Sequence, residues 1–218
     1  YRIVMENGFV PSLILAELSH FPTVMERLLH AATLAIGVVI GALIAIIKYC
    51  GEGSRWMKPL CFLCDLYTTV IRGIPVVVVL LIFYFLILRS SDGIVVGIVT
   101  FGINSGAYVA EIIRGGIMAV DEGQNEAGRS LGLNFAQTML YIIIPQALKN
   151  VLPALANEFI VLLKETSVAC YVAVNDLTKG GEIIRSQTYI QAMPLLIVAA
   201  LYLIMVVFFS HLVSKLER

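Results

Sequence analysis

The feature that most limits what this chain can become is a series of apolar runs, each about the length needed to cross a bilayer. A crossing helix requires about 20 predominantly apolar residues. Leu28 to Ile47 meets that requirement with only His30 and Thr33 polar, and Ala192 to Leu212 does so near the other end. Ile94–Ile113 and Ala147–Val174 are further candidates, the last with polar residues inside it. Leu60 to Leu88 is too long for one straight helix and is broken by Arg72-Gly73-Ile74-Pro75. It predicts an interfacial helix followed by a span starting near Ile74, since proline is tolerated where a helix begins. Composition supports the same class. Of 218 residues, 59% are hydrophobic and 14% charged, and the mean hydropathy is +0.92, against about 25% charged in soluble domains. The expected fold is an all-α integral membrane protein with five transmembrane helices over residues 28–218. Tyr1 to Arg27, partly apolar and broken by Pro11 and Pro22, is set apart as an N-terminal segment, with a place on the membrane surface as its expected position.

Five crossings put the termini on opposite sides. With the C-terminus in the cytoplasm, the inner segments carry Lys48, Arg55, Lys58, Arg114, Arg129, Lys149, Lys215 and Arg218. The outer ones carry Arg2, Arg27, Arg89, Lys179 and Arg185, so the basic residues favour this orientation. The long polar stretch from Gly115 to Pro145 then faces the cytoplasm. A formal net charge of zero argues against a nucleic-acid partner. Cys61 and Cys64 form a CxxC in an apolar stretch, without a second such pair or a nearby histidine, and read as small buried hydrophobes rather than a redox or metal pair. Within the first span, Gly37 and Gly41 have the spacing that lets helices approach closely.

The polar stretch holds the most specific pattern: Glu126-Ala127-Gly128, three residues, Gly132, nine residues, then Ile142-Ile143-Ile144-Pro145. Gln124 to Leu131 predicts a short polar helix, with Gly132 just past its end where positive φ is favoured. The pattern closely resembles the EAA loop of permease subunits in bacterial ATP-binding-cassette importers, with Gly128 in place of the second alanine and Ile144 in place of leucine. Arg72-Gly73-Ile74-Pro75, the segment Asn104 to Arg114, Gly123-Gln124, Pro145-Gln146-Ala147 and Lys164-Glu165-Thr166-Ser167 resemble the polar amino-acid branch of that family. The resemblance implies a multi-pass permease of the bacterial cytoplasmic membrane, paired with a second permease copy. It also implies an ATPase that binds ATP and Mg, docked through Glu126, Ala127, Gly128 and Gly132, and an extracytoplasmic amino-acid-binding protein. The chain itself carries no Walker A sequence, so ATP hydrolysis is assigned to that partner, and no cofactor, metal set or catalytic group is expected here.

Polar residues inside spans mark functional sites or interhelical pairs. Asn104, Tyr108 and Glu111 fall at i, i+4 and i+7, an inward stripe suited to a substrate passage. Glu111, near the cytoplasmic end, reads rather as a structural partner of Arg114 or Arg72. Asn157 and Glu158 lie mid-span. Glu158 has two readings, a ligand for an incoming cation or a salt bridge to a neighbouring helix. Asn150, Asn157 and Lys164 form a second stripe spaced by seven. Arg72 either holds a substrate carboxylate or anchors at the interface. The candidate substrate residues are therefore Glu158, Asn157, Asn104, Tyr108 and Arg72. Glu158, with Glu111, biases the expected substrate toward arginine, lysine or histidine, with glutamine or cystine as the alternative. A membrane receptor or scaffold without transport is the rival class.

Overall fold

The computed structural model describes residues 24–51 and 55–216; the N-terminal segment expected at the surface lies almost wholly outside them. Every element among the described residues is helical: α1 (Val24–Gly51), α2 (Lys58–Gly73), α3 (Val76–Ile82) widening into a π turn (Phe83–Ile87), α4 (Gly93–Met118), and α5 (Gly123–Ser130). The chain continues through α6 (Phe135–Thr138), a second π turn (Met139–Ile143) and α7 (Ile144–Glu165) into a 3₁₀ stretch (Thr166–Val172), and ends with α8 (Leu177–Thr188) and α9 (Ala192–Leu216). Four stretches are long and apolar enough to cross a membrane by themselves: Leu29–Gly51, Gly93–Met118, Phe135–Val172 and Ala192–Lys215.

The largest helix contact joins α1 to α4, and its chemistry is close approach at glycine. A Cβ on Gly41 would stand 2.6 Å from Val109 Cβ and 2.8 Å from the Ala110 backbone nitrogen; one on Gly37 would stand 2.6 Å from Ser105 Oγ. The arrangement is reciprocal, because Ile36 fills the space over Gly102 and Ile40 the space over Gly106. In a bilayer, lipid tails are as apolar as leucine, so such interlocking supplies attraction that burial alone does not. Leu29 also approaches Gly97, and Lys48 bonds Glu111 at 3.3 Å, so the two helices run parallel along their length.

That parallelism decides the path between them: the chain must cross back. The turn at Gly73–Pro75 occurs where the sequence predicts it, but Val76–Ile87 is not a full span. Its 12 residues rise about 18 Å, short of a hydrocarbon core of about 30 Å. The remaining depth comes from α2, which lies bent 106° from it. Cys61 approaches Gly51 at the far end of α1, Cys64 packs with Ile44 and Ala110, and the Tyr67 hydroxyl donates to the Ile103 carbonyl. α3 then packs at the opposite end, in the core of Leu29, Leu80, Val96, Phe101 and Val172. The expected surface helix is thus half of a broken crossing, and the crossings among the described residues number five. The fourth begins earlier than expected, at Phe135 rather than Ala147, with Pro153 inside it.

α7 runs antiparallel to α4, with Val151 against Gly116 and Glu158 against Ser105. α9 returns antiparallel to α7, with Phe209 against Phe159. Its outer face, including Leu203, Ile204 and Val207, is exposed to the surroundings of the bundle. Beyond the 3₁₀ stretch, buried Asp176 caps α8 by accepting from the Lys179 N–H at 2.7 Å. Burial pushes its carboxyl up to about 6, against the pull of that cap. Cys61 and Cys64 are free thiols.

Candidate functional site

Where α7 crosses α4, two carboxylates enter the bundle. Glu158 is 6% exposed, and its Oε1 accepts from Ser105 Oγ at 3.4 Å. Glu165 lies one heptad on, on the same face, and accepts from Asn104 Nδ2 at 3.1 Å. Asn104 is 1% exposed, so both donors are fixed inside the helix pair. Among the described residues neither acid forms an ion pair, although Glu165 and the Arg72 guanidinium both lie within Coulombic range of Glu158. Neither Arg72 nor Lys164 neutralises Glu158 by direct contact, so the salt-bridge reading of Glu158 finds no partner among the described residues. An unpaired pair of acids at this depth is costly, and such groups are kept where they serve an ion or a polar ligand.

Arg72 ends α2 at the break in the second crossing. Its guanidinium sits 5.2 Å from the centroid of the Tyr108 ring and 3.9 Å from Glu111. Helix breaks at membrane depth are common places for polar ligands to bind, because helix ends leave backbone groups unpaired. Glu111 is the hub of a structural network, with Arg114 at 2.8 Å and Lys48 at 3.3 Å; Lys48 also holds Asp65 at 2.7 Å. This network ties α1, α2 and α4 together. It bears out the structural reading of Glu111 with both expected partners, and adds Lys48 and Asp65, which no spacing in the sequence joins.

The stripe Asn104, Tyr108, Glu111 therefore divides: Asn104 serves Glu165, Tyr108 lies under Arg72, and Glu111 belongs to the ion network. Asn157 is not beside Glu158. It is exposed and, with Asn150, Ser210 and Ser214, lines an outward groove of about 400 Å³ between α7 and α9. One residue turns a helix by about 100°, so the inward stripe is Val151 and Glu158, both buried, and half-buried Glu165, one position after the predicted Asn150, Asn157, Lys164. Glu165 and Ser105 are the site residues that the sequence reading passed over. The spacing of seven from Glu158 was the available signal. No group of three or more His, Cys, Asp or Glu among the described residues is placed to hold a metal ion.

At the opposite end of α4 stands α5. Leu133 N–H bonds the Gly128 carbonyl at 3.1 Å and Gly132 N–H the Arg129 carbonyl at 2.9 Å, with Gly132 at φ 79°. This is the Schellman ending expected of Gly132. Glu126 and Ala127 are exposed while Gly128 is buried against Thr138. A Cβ at Gly128 would stand 2.6 Å from Thr138 Cγ2, which explains why glycine replaces the usual alanine. The contact joins α5 to the head of the α7 crossing. Gly128→Ala is expected to lower transport about fivefold or more by pushing α5 off Thr138. Gly128→Ala with Thr138→Ala should restore at least half of it. Failure of the double variant to recover, in uptake normalised to inserted protein, overturns the packing account.

The model of the family described as "Binding-protein-dependent transport system inner membrane component" matches residues 37–218. The putative glutamine transport system permease protein GlnP of Rickettsia bellii is 38% identical over 84% of this chain and 83% of its own. The arginine transport system permease protein ArtQ of Bacillus subtilis is 35% identical over 93% and 94%. A solved amino-acid ABC transporter with histidines is 42% identical, covers 100% of this chain and 96% of that one, and superposes with a TM-score of 0.82. The MetNI methionine ABC transporter, at 21% identity and a TM-score of 0.71, shares the fold over 87% of this chain and 90% of that one.

Proposed function

Since this chain belongs to the inner-membrane components of binding-protein-dependent transport systems, we propose that it carries a basic amino acid through a site built from Glu158, Glu165, Asn104, Tyr108 and Arg72. The protein is the permease of an amino-acid ABC importer, and the ATPase is a separate subunit. The observation that supports the substrate class is the pair of acids on one face of α7, Glu158 buried and Glu165 half-buried, with the Arg72 guanidinium nearby. Arg72 and the helix break receive the α-carboxylate. Glu158 and Glu165 receive the α-ammonium and the cationic side chain, each by a charge-assisted hydrogen bond. A zwitterion with a cationic side chain neutralises the excess acid; glutamine leaves one negative charge over.

Glutamine is the second reading, supported by the relatives whose printed function is glutamine transport. Rates of uptake into liposomes holding permease and cognate ATPase separate the two. Arginine, lysine or histidine should enter at least fivefold faster than glutamine, and the reverse order overturns the basic assignment.

The rest of the machine follows from the same reading. The exposed Glu126–Ala127 face of α5 docks the ATPase, with α5 and the C-terminus in the cytoplasm. Asn150, Asn157, Ser210 and Ser214 line one outward polar groove between α7 and α9, and a second permease copy covers it. A binding protein delivers the amino acid from the α8 side.

A further inference from the structure

The fourth crossing does not start as a plain α-helix. Met139–Ile143 wind as a π turn, with the Ile144 N–H reaching back to the Met139 carbonyl. Pro145 accounts for the widening. In an α-helix its ring would press on the carbonyl four residues back, and it has no N–H to offer. Such turns are rare and cluster at functional sites. Here the consequence is one of phase. One residue is about 100° of helix rotation, the angle that separates Glu158, turned to Ser105, from Asn157, turned to the outward groove. The winding of Met139–Ile143 therefore fixes which side chains α7 presents to the bundle.

α5 lies across this turn and meets it at both ends. Ahead of the turn, Gly128 rests on Thr138. Beyond it, the Gln146 side-chain amide donates to Gln124 Oε1 at 3.1 Å and to the Ile142 carbonyl at 2.9 Å. An amide nitrogen carries two hydrogens, one for each of these acceptors. Gln124 and Gly128 stand four residues apart, on one face of α5. Gln124 and Gln146 are half-buried, while Glu126 and Ala127 are exposed. We propose that Gln124 and Gln146 are a positioning pair that carries movement of α5 into the winding of the π turn, and through it into the direction of Glu158 and Glu165. The proposal rests on the reading of α5 as the helix that docks the ATPase. Thr138 is held at the near end, so a shift of α5 that draws on Gln146 falls on the turn between the two contacts. The turn tightens or loosens, and α7 rotates about its axis.

The test uses the permease assembled with its ATPase and binding protein in liposomes. It reads bound ATPase, ATP hydrolysis, and uptake of arginine and of glutamine. Gln124→Met and Gln146→Met keep the length of the side chain and lose the hydrogen bond. Each should lower uptake of the faster substrate at least fivefold while bound ATPase and ATP hydrolysis stay within about twofold. ATP hydrolysed per molecule imported should thus rise, which a residue needed only for folding would not cause. The double variant should import no less than the weaker single one, because both changes remove the same bond. Gln124→Glu keeps an acceptor for Gln146 and should import within about twofold of the unaltered protein. Normal uptake in both methionine variants, hydrolysis falling in step with uptake, losses that multiply in the double variant, or a loss in Gln124→Glu equal to that in Gln124→Met overturns the proposal. Glu126→Arg separates this outcome from failure of the docking reading. Unchanged bound ATPase in that variant overturns docking through α5, and the proposed relay with it.

Discussion

Gly41→Leu is expected to reduce the yield of monodisperse permease about tenfold or more. The first carbon of the new side chain meets Val109 at 2.6 Å and the Ala110 backbone nitrogen at 2.8 Å. A side chain can turn aside; a backbone nitrogen in the middle of a helix cannot. Relief requires α1 and α4 to separate along their whole contact, and overpacking of even a few methylenes costs about 1–3 kcal/mol before such a separation. The separation would also unseat Ile36 and Ile40 and pull Lys48 from Glu111. Gly115→Leu is the control. It lies on α4 as well, but nothing stands within 4 Å of its added Cβ, so its yield should stay within about twofold of the unaltered protein. Size-exclusion profiles after mild detergent extraction check both, and a normal profile for Gly41→Leu would show that the glycine contact does not hold the pair.

Glu158→Gln is expected to lower arginine uptake about tenfold or more while leaving the melting temperature of the empty protein unchanged or higher. The two halves of this result come from one cause. Without substrate, the Glu158 carboxylate is buried, receives a single long hydrogen bond from Ser105, and has Glu165 for a neighbour. Removing its charge relieves that burden. With a cationic substrate, the same charge supplies a hydrogen bond contributing roughly 1.5–3 kcal/mol, which the amide does not match. Glu165→Gln should also lower arginine uptake, because the cationic substrate loses a charged acceptor. A fall in melting temperature, with arginine and glutamine uptake depressed alike, would make Glu158 a structural residue and remove the argument for a basic substrate.

How far the residues alone disclosed this arrangement depends on the scale of the feature. Short-range signals were readable. Gly132 needed positive φ and has it; Pro75 begins a helix; Gly37 and Gly41 mark a close helix contact. Features that depend on a distant partner were not. Nothing local to Leu60–Arg72 says that α2 enters the membrane, because its charges are matched by Lys48 on α1 and Glu111 on α4. The onset of the fourth crossing was hidden by averaging, since the polar residues of α5 mask the apolar turn at Met139–Ile143. Within the site, Glu158 stood out as an acid in an apolar run. Asn157 was misplaced because helix phase cannot be read to within one residue when polar side chains occupy both candidate faces. Glu165 was passed over for its neighbour Lys164, although only the glutamate faces Asn104.

The parallel pairing of α1 and α4 also sets an order of events during synthesis. Among the described helices α1 leaves the ribosome first, ahead of the α4 face that receives its glycines. The next segment to arrive, α2, brings Lys58, Asp65 and Arg72 toward the bilayer. Asp65 meets Lys48 at once, but Arg72 finds Tyr108 and Glu111 only when α4 has emerged. The second crossing is therefore completed by the third, and the insertion machinery has to shelter both α1 and the broken helix until α4 arrives. Biogenesis of this protein is a wait for one helix, and lesions in α4 should leave nascent chains stalled at the translocon rather than merely less stable in the membrane.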